Sequence, residues 1–350
     1  MQNLTRAHQE LFRRHPDERF GSLTDLWEHC HDMKRWSTIK WVPPTEFSVE
    51  PSTEGLSIQV QGQPMNLTDW SFTQLCSLTG VSKDTVNRLS PDTATRVFAE
   101  TWPSGSKPLQ VFAAVDSVRS VHQASYTRLY NAELLATVRE FAVGFQPPQE
   151  ARTGAPDEDD TPPATGLYCG EQDMFCFLID PTGWVEIDGE AFAPGFFVWN
   201  SEVGRRTLGI QTFWFQAICQ NHIVWDAVEV CEYTRKHTAN VHEALSNIRQ
   251  MLARLVEMRD QRRDTFAKVI KKAMSTPLAD KAEDMIEVLR KQGIQKAVAN
   301  QALKIAQQQG KFTIYAFVDA LTRLAGEEQN AGDRTEADAR GSSLLALAAA

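Results

Sequence analysis

A chain of 350 residues with 42% hydrophobic and 23% charged side chains carries enough apolar mass for full cores in two or three globular domains. No run reaches the ~20 apolar residues that cross a bilayer. Met1–His15 lacks the apolar centre of a secretory signal, and six cysteines without tight pairing read as reduced thiols, so a cytoplasmic protein is expected.

The net charge of −9 argues against a wholesale polyanion binder, yet it is unevenly spread. Trp41–Thr234 holds 10 Lys and Arg against 25 Asp and Glu, whereas Arg235–Asn330 holds 17 against 11. A basic part beside an acidic part suits a polyanion partner or self-association through opposite surfaces.

In chain order, residues 4–15 and 23–35 read as helices separated by Pro16, with Ser22 and Asp25 as a capping start, so 1–44 is a helical segment. Phe47–Val49 and Leu56–Val60 alternate as short strands, and Thr68 caps a helix ending at Gly80. Helices at 83–89 and 92–101, a strand at Leu109–Val115 and a helix from Asn131 complete an α+β half over 45–145. Gln146–Gly166 holds five prolines and an acidic run without a large apolar side chain, which predicts a disordered linker over 146–166. Residues 167–238 read as a β-rich block that completes the sheet, with strands at Met174–Asp180, Gly195–Trp199, Thr207–Ile218 and Val228–Thr234.

From Asn240, Val241, Leu245, Ile248, Leu252 and Leu255 form a helical stripe that lapses at Arg259–Arg263 and resumes at Phe266. Further helices at 279–291, 295–309 and 313–326 fill a helical region over 239–328, before a flexible tail at 329–350. The expected fold class is α+β: an antiparallel or mixed sheet with helical insertions, then a C-terminal helical region containing one long helix.

The segment Gly195–Trp225 is apolar on both strand faces. Phe196 and Val198 alternate with Phe197 and Trp199, which places the strands under a covering layer. Chemistry would then sit at strand ends, where the chain reads Asn200-Ser201-Glu202-Val203-Gly204-Arg205-Arg206 and Cys219-Gln220-Asn221-His222. Gly204 permits positive φ, and the two arginines offer forked donors suited to phosphate. The plainer reading is a well-made turn with a solvated arginine pair.

Asn200, Ser201, Glu202, Gly204, Thr207 and Leu208, followed by Cys219, Asn221, Lys236 and His237, resemble the phage- and plasmid-associated domain-of-unknown-function family 932. The resemblance extends upstream to Leu67–Trp70 through Leu89 and downstream to Phe312–Tyr315 through Leu324. His222 departs from the glycine usual after Asn221. The resemblance implies a mobile-element context and transfers no catalytic residue.

No glycine-rich phosphate loop and no GxSxG elbow occurs, so nucleotide-fold and serine-hydrolase chemistry is not expected, nor any cofactor. Three functions remain. The first is a non-enzymatic protein binding single-stranded nucleic acid, extended by analogy to strand annealing in recombination or replication. There Arg205, Arg206, Arg235, Lys236, Arg259, Arg262 and Arg263 would hold phosphates, while Trp225 and Tyr233 reach bases. The second is a metal-assisted nucleic-acid-processing enzyme built on Glu202, His222 and His237, with Cys219-x-x-His222 as a ligand pair of suitable spacing. The third is an assembly subunit, a homo-oligomer whose acidic and basic regions meet between protomers. Core thiols, turn acids and a solvated helix face account for the same residues without function. Gln292-Gly293-Ile294 between two helices reads as a structural helical pair rather than a DNA-reading one.

Overall fold

Strands divide between two separate sheets, one built within the N-terminal half and the other from the C-terminal half with the short N-terminal strand Glu18–Arg19 at its edge. The computed structural model describes residues 11–53, 55–151, 166–217, 221–223, 233–235, 237, 242–257 and 259–349. β1 (Glu18–Arg19) and α1 (Leu23–Trp36) lead into β2 (Ser37–Val42), β3 (Phe47–Ser52), β4 (Gly55–Val60) and β5 (Gln63–Leu67). Helices α2 (Asp69–Thr79), α3 (Lys83–Val86) and α4 (Pro91–Thr101) precede β6 (Leu109–Ala114), β7 (Ser117–His122) and α5 (Asn131–Phe141). Next come β8 (Leu167–Cys169), β9 (Met174–Ile179), β10 (Val185–Ile187), β11 (Glu190–Asn200), β12 (Leu208–Gln216), β13 (Asn221–Ile223) and β14 (Tyr233–Arg235). The remainder is helical: α6 (Glu243–Glu257), α7 (Arg259–Ser275), α8 (Ala282–Lys291), α9 (Lys296–Gln309), α10 (Ile314–Ala325), α11 (Ala331–Ser342) and α12 (Leu345–Ala349).

The first sheet runs β2-β6-β7-β5-β4-β3 and is mixed, because β5 and β7 pair in parallel. Its buried face (Val49, Ile58, Val111, Val118) packs on Phe72 and Leu75 of α2 and Phe98 of α4. The second runs β1-β8-β9-β11-β12-β13, with β10 on β11 and β14 on β12, all antiparallel. Both its faces are covered, as the doubly apolar strands require. Phe196 and Val198 meet α1, α5 and α6, while Phe197 and Trp199 face α11. At one end Phe192 and Trp214 join a third cluster with the helices α7 to α10 and α12.

The α+β class and the C-terminal helical region agree with the sequence. Several details do not. The 167–238 block does not complete the mixed sheet of the N-terminal half; among the described residues, the upstream strand it takes up is β1, which pairs with β8. Helical cover also joins the halves: α1 and α5 pack on the second sheet. Of the helix expected over 4–15, the described residues 11–15 are non-helical. The first residues of the linker expected over 146–166 are ordered. Gln146 exchanges backbone bonds with Ile179 at 3.0 and 2.8 Å, and a 3-10 turn follows at Pro148–Ala151; residues 152–165 lie outside the described residues. The long helix appears as α6 and α7 on either side of Met258, which also lies outside them. The stripe on α6 enters the core with α5, and Phe266 and Ile270 of α7 enter the other, which explains the lapse between them.

The flexible tail expected over 329–350 is instead α11 and α12. Asp17 Oδ2 accepts from Ala331 N at 2.8 Å, and Leu344, Leu345 and Ala348 are buried against the helical region. Small side chains hid this: α11 is rich in alanine and glycine, which let it lie close to the sheet but give little periodic signal.

Candidate functional site

The turn between β11 and β12 is held by a dense set of internal bonds. Asn200 Nδ2 donates to Leu129 O (2.9 Å) and to Asn131 Oδ1 (2.8 Å). Ser201 Oγ donates to Gln172 O at 2.6 Å and accepts from Arg205 N at 2.8 Å. Glu202 Oε2 pairs with Arg119 Nη1 at 2.8 Å, while Oε1 accepts from Asn131 N at 2.9 Å. The Glu202 carbonyl accepts from Tyr126 Oη at 2.9 Å and from Arg128 Nη1. Val203 O accepts from Trp70 Nε1 at 2.7 Å. Gly204 has φ +75°, and a Cβ there would lie 2.8 Å from His122 Cε1. Asn200, Ser201 and Glu202 are therefore buried turn-builders that clamp the two halves together.

The arginines separate. Arg206 is enclosed by carboxylates: Nε to Asp173 at 2.8 Å, Nη1 to Glu336 at 2.6 Å and Nη2 to Asp333 at 3.5 Å. It is a neutralised strut between β12 and α11, not a phosphate ligand. Arg205 is exposed and lies over the Trp70 ring at 5.4 Å. Arg262 is buried at 5.9 Å from the Trp214 ring, which corrects its expected phosphate role; Arg263 pairs with Asp260 (3.2 Å) and Asp264 (3.3 Å). Arg259 begins α7, while Tyr233 and Arg235 lie on β14. Cys219, Trp225 and Lys236 lie outside the described residues. Asn221 opens β13, opposite Gln216.

The Glu202, His222 and His237 constellation is not assembled. Glu202 is committed to Arg119. His222 stacks on Phe177 with ring centroids 4.3 Å apart, its Nδ1 3.9 Å from Asp338 Oδ2. His237 belongs to a different stack, His122–Tyr126–His237, with centroid spacings of 3.7 and 5.5 Å. Burial lowers the His122 pKa to about 3 and that of His237 to about 4, so both are neutral. Among the described residues no group of three or more His, Cys, Asp or Glu could hold a metal ion.

What the turn does create is a cavity of about 390 Å³ between β11–β12 and α11. Its apolar wall is Phe175, Phe197 and Trp199; its polar rim is Arg205, Arg206, Thr207, Gln211, Thr335 and Glu336. The volume falls in the lower part of the ~300–1,000 Å³ range of small-ligand sites, and an apolar wall with few polar groups is their usual make-up. Gly209, opposite Trp199 in register, is what admits the indole, because an added Cβ would collide with its ring. A second cavity of about 400 Å³ lies on the other flank of α11, between Ala337, Arg340 and Gly341 and the α9 residues Val298 and Gln301.

On α9 the exposed residues Lys296, Asn300, Lys304 and Gln308 repeat at four-residue intervals, and residues 288–318 contain no Asp or Glu. The reading of these helices as a structural pair did not weigh this polar stripe or the absence of acids around it. The aromatic wall belongs to strands expected to lie under cover, and Phe175, Phe197 and Trp199 are indeed buried in a core cluster. The α11 rim was missed because its polar residues looked like tail composition. No family model matches the chain, and neither does any curated protein or solved structure.

Proposed function

We propose that this chain is a non-enzymatic protein that binds single-stranded nucleic acid, taking one base into the cavity between β11–β12 and α11. The observation that carries this reading is the pairing of an aromatic wall (Phe175, Phe197, Trp199) with the exposed Arg205 guanidinium at its mouth. Single-strand binding needs both: stacking on an aromatic face contributes ~1–3 kcal/mol per base, and cations follow the backbone. Asp173, Asp333 and Glu336 already neutralise Arg206, so its guanidinium and Glu336 serve as hydrogen-bonding edges for a base. Phosphate contact falls to Arg205 and, past α11, to Arg340, Lys296 and Lys304, all exposed.

A role in strand annealing, and the mobile-element setting implied by the resemblance of the Asn200–Leu208 segment, belong to the same proposal. The test is fluorescence anisotropy with a labelled oligothymidine and a duplex of equal length at two salt concentrations. Single-strand binding that weakens steeply with salt and is abolished by Ala339→Trp, which fills the cavity, is expected. A flat titration at low salt overturns it.

A second reading, a homo-oligomer, rests on one edge of the mixed sheet. β2 is an outer strand with exposed Ile39 and Trp41 beside exposed Trp36, whereas the opposite edge, β3, carries Glu50 and Pro51. Charge and proline guard an edge; exposed aromatics invite a partner strand. Pairing of β2 with β2 of a second copy is the corresponding assembly. A monomeric mass in light scattering at micromolar concentration would exclude it.

A further inference from the structure

Outside the turn, one pair of side chains has reactive chemistry that neither proposed role uses. Cys30 Sγ on α1 lies 4.0 Å from Cys169 Sγ on β8, and both residues are buried. Cys169 is surrounded by donors. Asn131 Nδ2 points at its sulfur at 4.0 Å, and the nearby His29, with its own side chain 30% exposed, favours the thiolate. Cys176, on the neighbouring strand β9, is the contrast: it packs among Leu178, Phe196 and Val198, and burial alone pushes its thiol upward.

We propose that Cys30 and Cys169 form a reversible disulfide on reaction with a hydroperoxide, Cys169 being the sulfur attacked first and Cys30 the resolving thiol. Three features assign these roles. The sulfurs already touch, so closing from 4.0 Å to the ~2.05 Å of an S–S bond needs side-chain rotation and a small helix–strand shift. Among the described cysteines, Cys169 has the Asn131 amide aimed at it and His29 nearby, surroundings that favour thiolate. The hydrogen bond with Cys30 lowers the Cys169 pKa most, burial raises it, and His29 lowers it again, to about 7; Cys30 is moved up.

The steps balance. Cys169 thiolate attacks one peroxide oxygen; the S–O bond forms, the O–O bond breaks, and the leaving oxygen takes a proton from His29. Cys30 sulfur then displaces the oxygen from the sulfenic acid. The S–S bond forms, the S–O bond breaks, and the Cys30 proton leaves with that oxygen as water. Two thiols are oxidised and one hydroperoxide is reduced to an alcohol, or to water when the oxidant is hydrogen peroxide.

The disulfide would also reach the clamp under the turn. Asn131, which points at Cys169, holds Asn200 through Oδ1 and Glu202 through its backbone N–H. Oxidation removes the thiolate acceptor on that chain of bonds.

The folded full-length chain is treated with hydrogen peroxide, denatured without reductant, alkylated with N-ethylmaleimide and weighed intact. The expected result is four alkylated thiols of the six present, recovery of all six after dithiothreitol, and a Cys30–Cys169 crosslinked peptide. In Cys30→Ser, dimedone should label Cys169 at least ~10-fold faster than Cys176. Six free thiols after peroxide, or a disulfide joining any other pair, overturns the proposal. So does equal labelling of Cys169 and Cys176 in the variant.

Discussion

Glu202 and Arg119 meet at 2.8 Å, with side-chain exposures of 2% and 9%, and the pair joins the turn of the second sheet to β7 of the first. A buried ion pair of this kind gains little over an apolar replacement, but removing one partner leaves an uncompensated charge. Arg119→Met should therefore destabilise the chain by about 3–5 kcal/mol, read from urea midpoints. Arg119→Met combined with Glu202→Gln should recover part of the loss, since the amide still accepts from Asn131 N without carrying charge. If the double variant is no more stable than the single one, the pair is not the coupling seen here.

The His122–Tyr126–His237 stack gives the fold an acid-side weakness. Burial holds His122 at about 3 and His237 at about 4, below their ordinary 6.5. The unfolded chain thus binds more protons than the folded one between those values, so stability is intact above about pH 6.5 and is lost as pH falls toward 4. Each histidine contributes a slope of up to about 1.4 kcal/mol per pH unit in that window. His122→Phe keeps a ring on Tyr126 and cannot be protonated. Its unfolding free energy should vary less between pH 6.5 and 4.5 than that of the parent; an unchanged slope would place the titration elsewhere.

Asp338 acts in the opposite direction. Burial raises its carboxyl to about 8, outweighing Arg334, whose Nε lies 3.6 Å away. The folded chain then holds a proton that the unfolded chain releases near 3.8, so this contribution is complete below that value and disappears as pH rises through about 8. Asp338→Asn should gain stability relative to the parent as pH rises from 6 to 9, measured by thermal unfolding. A constant difference across that range would mean that Asp338 is already ionised at pH 6.

How much of this was readable in the sequence depends on the reach of each interaction. Caps were local and visible: Ser22 Oγ accepts from Asp25 N at 3.1 Å, and Thr68 with Ser71 forms a full capping box. The doubly apolar β11 and β12 required cover on both faces, and they have it. Gly204 was flagged for positive φ and has it. The roles of the arginines were not readable, because Arg206 is neutralised by Asp333 and Glu336 from a helix more than a hundred residues away. Arg262 looked like a break in an apolar stripe, yet its stem is buried and its guanidinium lies by Trp214, as long cationic side chains can. The cavity, too, exists only because α11 docks, and α11 carries almost no large apolar residue to announce it.

Arg205 and Arg206 are adjacent in sequence and opposite in consequence, which separates binding from stability. Arg205 is exposed and lies over the Trp70 ring, so Arg205→Ala should leave the urea midpoint within error. It should also weaken oligothymidine binding and lower the slope of log affinity against log salt by about 0.7–0.9, the share of one phosphate contact. Arg206→Ala removes the counter-charge of Asp173, whose side chain is fully buried, and the strut that fixes α11 over the cavity. Arg14 Nη2, 2.6 Å from the other Asp173 oxygen, keeps part of that charge balanced, so the loss should be about 2–3 kcal/mol rather than complete unfolding. Binding by Arg206→Ala should fall with its salt slope unchanged, because the cavity loosens but no phosphate contact is lost. If instead Arg206→Ala lowers the salt slope and Arg205→Ala does not, the phosphate cation at this turn has been assigned to the wrong residue.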